Sequence, residues 1–138
     1  MKFHIFTIFP DMYSSTFNEG VISRGIEKGH IQIFLHDIRD YTNDKHNKVD
    51  DSPFGGGPGM IMKPEPIFNA VETVSETHNI QQTTPRILLS PQGKPFNHKI
   101  AKKLSNLNEI IMICGRYEGF DERIRQNLAT DEISIGDY

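Results

Sequence analysis

Residues 2–38 of this chain read KFHIFTIFPDMYSSTFNEGVISRGIEKGHIQIFLHDI, and this stretch decides the fold class. Residues 2–9 are rich in β-branched and aromatic side chains, which predicts a buried strand. Apolar side chains then recur near helical spacing over residues 12–26, and residues 30–38 predict a second strand. A strand, a helix and a strand joined by short connections form a βαβ unit, so we expect a parallel sheet.

The rest of the chain continues this alternation of strands and helices. We predict strands at residues 86–89 and 109–114 and from residue 131, and helices at residues 65–74, 97–107 and 121–128. Residues 39–59 hold many Asp, Asn, Pro and Gly and predict a long loop, which in a compact domain is usually functional or disordered. The pattern as a whole predicts one α/β domain, a parallel sheet flanked by helices.

Composition narrows the class of protein. The chain is 36% hydrophobic and 24% charged, which is typical of a globular domain, and its formal net charge is −3. A nucleic acid, which is itself negatively charged, could therefore bind only at a local basic patch. The single cysteine, Cys114, excludes an internal disulfide framework, and we expect no metal site. No apolar run approaches the ~20 residues that cross a bilayer, so we expect a cytoplasmic protein without membrane contact.

Three glycine-containing loops directly follow predicted strands, at residues 90–93, 115–119 and 135–138. In open α/β sheets, ligands bind outside the carboxyl ends of the strands. We interpret the three loops as one pocket that reads a heterocycle mainly through backbone groups, the alternative for each loop being a plain turn. The nucleotide signatures G-x-G-x-x-G and G-x-x-x-x-G-K-[ST] are absent, which argues against a dinucleotide-binding domain.

Five blocks of sequence carry a resemblance to a known family. They are DDSPFGGGPGM at residues 50–60, EP at residues 65–66, LSPQG at residues 89–93, CGRYEGFDER at residues 114–123 and SIGDY at residues 134–138. In this order they resemble the bacterial tRNA (guanine-N1)-methyltransferases of the TrmD type. The resemblance implies a SPOUT-class fold, whose parallel sheet is tied in a deep trefoil knot. It also implies S-adenosylmethionine as methyl donor, N1 of the guanosine at tRNA position 37 as acceptor, and a homodimer.

The resemblance also implies roles for individual residues. Arg116 is the expected catalytic residue, directed at the target guanosine. Residues expected to face the tRNA are Asp50, Gly55, Gly56, Gly57 and Gly59. Residues expected to hold the cofactor are Ser90, Pro91, Gln92, Gly115, Tyr117, Glu118, Gly119, Ile135, Gly136, Asp137 and Tyr138.

In the family, a general-base aspartate, the rest of the third loop, a linker and a helical tRNA-binding domain follow the SIGDY motif. We therefore expect residues 1–138 to be an S-adenosylmethionine-binding SPOUT domain that is incomplete at its C-terminal end, cut before the knot is closed. The general base is expected to be absent from this chain, and the fragment alone to be inactive. The alternative is a non-catalytic RNA-binding remnant of that domain, which a net charge of −3 disfavours.

Overall fold

Seven strands and five helices make up residues 1–136, the part of the chain that the computed structural model describes. The strands are β1 (Lys2–Thr7), β2 (Gln32–Asp37), β3 (Asp50–Asp51), β4 (Ile61–Met62), β5 (Arg86–Pro95), β6 (Glu109–Cys114) and β7 (Asp131–Ser134). The helices are α1 (Asp11–Phe17), α2 (Gly20–Glu27), α3 (Pro64–Thr77), α4 (His98–Leu104) and α5 (Glu122–Asn127). A 3₁₀ turn, Ile38–Tyr41, follows β2.

Five strands form one parallel sheet in the order β2-β1-β6-β5-β7. The predicted parallel sheet flanked by helices is thereby confirmed. Strand β1 lies between β2 and β6, so that Ile5 is opposite Leu35 of β2 on one side and Met112 of β6 on the other. Strands β3 and β4 pair separately as a short antiparallel hairpin.

The larger core lies between one face of the sheet and α3. Prolines in the first turn of α3 fit the helix start, where the missing N–H groups have no intrahelical partner. Its buried side chains then recur at helical spacing, from Ile67 through Val71 to Val74. They pack with Phe6 and Ile111 from the sheet. A smaller cluster on the opposite face centres on the buried side chains Ile87, Ile110 and Ile133.

Most predicted elements differ from the structure by a few residues at their ends, and two differ more. The single helix expected over residues 12–26 is divided into α1 and α2, because Asn18 ends α1 and Gly20 has a left-handed φ of 71°. The strand expected at residues 86–89 continues to residue 95.

The extension of β5 has a topological cause. Ile133 of β7 pairs in parallel with Leu89 and also with Lys94, so β7 lies between two stretches of β5. Residues 90–93 cross over β7 to connect those stretches. A Cβ at Gly93 would lie 2.5 Å from the backbone N and C of Ile133, so only glycine fits at this crossing.

No helix within residues 1–136 has the length and apolar character needed to span a bilayer.

Candidate active site

A cleft of about 290 Å³ lies at the carboxyl edge of the sheet, where β6 and β7 end and where the first stretch of β5, residues 86–89, meets the crossing segment 90–93. Its lining includes residues from all three predicted loops: Ser90, Pro91, Gly115, Ile135 and Gly136. The structure thus brings these five predicted cofactor residues together. Asp137 and Tyr138, also predicted to hold the cofactor, lie outside the described residues.

A second cleft of about 810 Å³ adjoins the first, since both are lined by Leu89, Ser90, Pro91 and Gly115. It adds Phe9 and the loop residues Arg116, Tyr117, Glu118, Gly119 and Phe120. Gln92 lines neither cleft. Its side chain is exposed, and its backbone N–H donates to Ser90 Oγ at 3.1 Å. Gln92 is therefore the one predicted cofactor residue among those described that stands apart from the clefts.

Two serine hydroxyls fix the shapes of the first and third loops. Ser90 Oγ donates to Glu132 Oε1 at 2.5 Å, which ties the loop after Leu89 to β7. Ser134 Oγ donates to the backbone oxygen of Gly136 at 2.7 Å. Glu132 was not predicted as a site residue, because nothing local to β7 indicates that its carboxylate meets a serine 42 residues away.

Tyr13 of α1 also lines the smaller cleft, beside Cys114 at the end of β6. Burial raises the pKa of Tyr13 to about 12, with Cys114 as a further contributor. Burial likewise raises the pKa of the Cys114 thiol. Both groups stay protonated at neutral pH, so Cys114 is a packing residue of the cleft wall and has no thiolate character. The sequence around Tyr13 predicts a helix but gives no sign that this side chain lines the cleft.

The loop after β6 is joined to the β3–β4 hairpin by backbone hydrogen bonds. Glu118 N donates to Met60 O at 3.0 Å, Met62 N donates to Gly119 O at 2.9 Å, and Asp121 N donates to Met62 O at 3.1 Å. The residues predicted to face tRNA and those predicted to hold the cofactor are therefore neighbours.

At this junction the Glu118 side chain packs directly against the backbone of Gly59. A Cβ there would overlap Glu118 Cγ and lie 3.0 Å from Glu118 Oε1. Gly55, Gly56 and Gly57, by contrast, have open space around them and are exposed at the hairpin tip.

Asp50 of β3 lies beside the Tyr117 side chain. Burial and the Asp50 carboxylate together raise the pKa of the Tyr117 hydroxyl, so it remains a hydrogen-bond donor at neutral pH. Tyr117 has a left-handed φ of 61°, an uncommon backbone conformation for a bulky residue. Such strain is typical of functional loops that the surrounding structure holds in place.

Within residues 1–136, no group of three or more His, Cys, Asp or Glu side chains has the geometry to hold a metal ion. The site offers backbone groups, hydroxyls and the guanidinium of Arg116. Such a set suits a nucleoside-like ligand beside a reacting group that gains negative charge.

Comparison with known proteins gives a consistent result. The sequence model of the family described as tRNA (Guanine-1)-methyltransferase TrmD matches residues 1–138. A tRNA (guanine-N(1)-)-methyltransferase of Dehalococcoides mccartyi (strain 195) is 51% identical over the whole chain, which covers 55% of that protein. The enzyme of the same name from Clostridioides difficile (strain 630) is 49% identical over the whole chain, which covers 59% of it.

Among solved structures, the crystal structure of tRNA (m1G37) methyltransferase from Aquifex aeolicus superimposes with a TM-score of 0.89 at 37% identity. The match covers 100% of this chain and 61% of the Aquifex chain. This chain thus spans little more than half the length of the curated relatives it matches.

Proposed function

This chain belongs to the tRNA (guanine-1)-methyltransferase family of the TrmD type, and we propose that it is the methyl-donor-binding domain of such an enzyme. The proposed reaction transfers a methyl group from S-adenosylmethionine to N1 of guanosine 37 in tRNA. The observation that carries the proposal is the meeting of three loops from adjacent strands, with Ser90, Gly115 and Gly136 in one cleft. The larger of the two adjoining clefts, at about 810 Å³, has the size of a small-molecule site.

The bound cofactor supplies an electrophilic methyl group on a sulfonium. Guanine N1 is a poor nucleophile until its proton leaves, so the reaction needs a positioned base. We propose that residues 1–138 contain no such base. This chain alone is therefore proposed not to catalyse methyl transfer. Arg116 is exposed in the lining of the larger cleft. We assign it the stabilisation of negative charge that develops on guanine O6.

The tRNA-facing surface is proposed to be the β3–β4 hairpin, with Asp50 at its base and Gly55–57 and Gly59 toward its tip. Its support is the hydrogen-bonded junction of the hairpin with the loop that holds Arg116. Glycines without side chains let a bulky nucleic acid approach the backbone closely. A tRNA partner also supports a cytoplasmic location.

Calorimetric titration of the 138-residue chain with S-adenosylmethionine tests the cofactor assignment. We expect binding weaker than that of a chain extended to the length of the relatives, because the third loop is only begun within residues 1–138. Thermal shift should show stabilisation by S-adenosylhomocysteine and none by NAD. Stabilisation by NAD alone would overturn the assignment.

Methyl transfer to tRNA transcripts carrying G37 or A37 tests the reaction. The extended chain should methylate only the G37 transcript, and the 138-residue chain neither. Transfer by the 138-residue chain would disprove the absence of a base. An inactive extended chain would contradict the proposed reaction. Binding of tRNA by a chain that does not bind S-adenosylmethionine would favour the non-catalytic RNA-binding remnant.

A homodimer is proposed from an exposed apolar surface. Met12 and Val21 on α1 and α2 are 67% and 75% exposed. Beside them runs a groove of about 620 Å³ whose lining includes Phe3, Ile5 and Ile33. A second copy that covers this surface would remove it from water.

Sedimentation of Met12→Glu measures the oligomeric state, with Phe54→Glu on the exposed hairpin as matched control. Met12→Glu would bury a charge in the proposed interface and should dissociate the dimer. Phe54→Glu places its charge outside that interface and should leave the dimer intact. A monomeric wild-type chain, or a dimer that survives Met12→Glu, would contradict this interface.

A further inference from the structure

The ring of Phe9, just after β1, is contacted by two guanidinium groups. Arg39 Cζ lies 5.3 Å from the ring centroid and Arg116 Cζ lies 5.5 Å from it. Each distance is within the range of a cation–π interaction. The ring thus brings together two arginines that are far apart in the sequence.

Arg39 is held in place by one backbone hydrogen bond and one long ion pair. Its Nη1 donates to the backbone oxygen of Ile8. Its ion pair with Oδ1 of Asp37 is long, at 3.9 Å from Nη1, and includes no hydrogen bond. A guanidinium carries five N–H donors, and the side chain of Arg39 is one-third exposed. Most of its donors therefore remain available in a fixed orientation.

Arg116 adds a second charge at the same place. Among residues 1–136, no carboxylate lies within ion-pair distance of Arg116. Two like charges near one ring repel each other, and an anion bound near both would relieve that repulsion. Phe9 and Arg116 both line the larger cleft, and Arg39 is connected to that cleft through its contact with the Phe9 ring.

We propose that Arg39 is a substrate-contact residue that binds a backbone phosphate of tRNA beside the target guanosine, while Arg116 adds positive charge next to it and faces the guanine base. The inference rests on the proposed function and adds a residue to it. A planar, weakly hydrated guanidinium suits a phosphate better than a lysine does. A chain with net charge −3 needs such a local patch to hold a polyanion.

The test is the salt dependence of tRNA binding, measured by filter binding of a tRNA transcript to the full chain. Arg39→Gln should weaken binding and lower the slope of log K against log salt by about one, because one phosphate contact is lost. Arg39→Lys keeps the charge and should retain the slope. Arg24→Gln is the matched control, since Arg24 is exposed on α2 and lines neither cleft. It should leave the slope unchanged.

A second readout separates a phosphate contact from a structural role. If Arg39 only held the Ile8 carbonyl in place, Arg39→Gln would lower the unfolding midpoint and S-adenosylmethionine affinity, and Arg39→Lys would not rescue the slope. That pattern overturns the inference, as does a slope equal to that of Arg24→Gln. A wild-type chain that binds the methyl donor but no tRNA also overturns it, while leaving the proposed cofactor site intact. Loss of both bindings contradicts the proposed function itself.

Discussion

Nδ1 of His4 lies 3.2 Å from Nε2 of His36, although the two histidines are 32 positions apart in the sequence. His4 is fully buried, and its Nε2 lies 3.2 Å from Glu109 Oε1. The carboxylate requires a proton on His4 Nε2, so His4 Nδ1 accepts the hydrogen bond from His36. His78 packs edge-on against both rings, at centroid distances of 4.9 and 5.9 Å. This arrangement is formed with His4 and His36 neutral.

Acid should destabilise the fold through this cluster. Burial lowers the pKa of His36 to about 4, with His4 and His78 as unfavourable neighbours for a positive charge. Burial also lowers the pKa of His4, against the opposing effect of Glu109. Between pH 6.5 and 4 the unfolded chain therefore binds more protons than the folded chain, and stability falls as the pH falls. We expect His36 to account for a loss on the order of 1–2 kcal/mol, because solvent screens part of the interaction.

Urea unfolding from pH 7.5 to 4.5 measures this loss. His36→Gln keeps a hydrogen-bonding side chain and removes the titration, so its stability should depend less on pH than that of the wild type. His98→Gln, at an exposed position in α4, is the matched control and should follow the wild-type curve. Identical pH dependence in His36→Gln and the wild type would exclude the cluster as the cause.

Gly93→Ala should destabilise the fold by about 2–3 kcal/mol, because the added methyl meets the backbone of Ile133, which cannot rotate away. Gly55→Ala is the control, since a Cβ there has open space and the backbone is not left-handed. Urea unfolding should separate the two variants, and amide exchange should show the loss concentrated in β7. Equal stability of the two variants would mean that residues 90–93 do not pack on β7 in this way.

Gly59→Ala should alter the cleft more than the stability. The methyl displaces the Glu118 side chain, and the left-handed φ of 91° adds strain of about 1 kcal/mol. Gly29→Ala carries similar strain at φ 71° with nothing within 4 Å, so it controls for the backbone effect. Calorimetry should show a several-fold loss of S-adenosylmethionine affinity in Gly59→Ala alone. A loss of the same size in both variants would refute a specific effect on Glu118.

Arg116→Ala should reduce turnover of the extended protein by about a hundredfold and leave cofactor affinity nearly unchanged, because the proposed charge on O6 develops only during the reaction. Steady-state kinetics and calorimetry measure the two quantities, with Arg24→Ala as the control. Equal losses of turnover and affinity would contradict the assigned role.

The chain's local patterns determined the element types and the parallel sheet. Runs such as residues 109–114 specify a buried strand, and apolar spacing specifies α3, because both patterns depend on neighbours within a few residues. The segment after Leu89 and the loops after β6 and β7 were predictable for the same reason. Their glycines and their family resemblance named most of the residues that line the clefts, and also Gln92, which lines neither cleft.

Only the tertiary structure decided which distant groups meet. The insertion of β7 between Leu89 and Lys94, the Ser90–Glu132 hydrogen bond and the pairing of His4 with His36 each join residues from different strands. Periodicity states which way a side chain faces along its own element, but not which element lies opposite. That choice follows from the packing of the whole sheet, since β1 must lie between β2 and β6 before His4 can reach both His36 and Glu109.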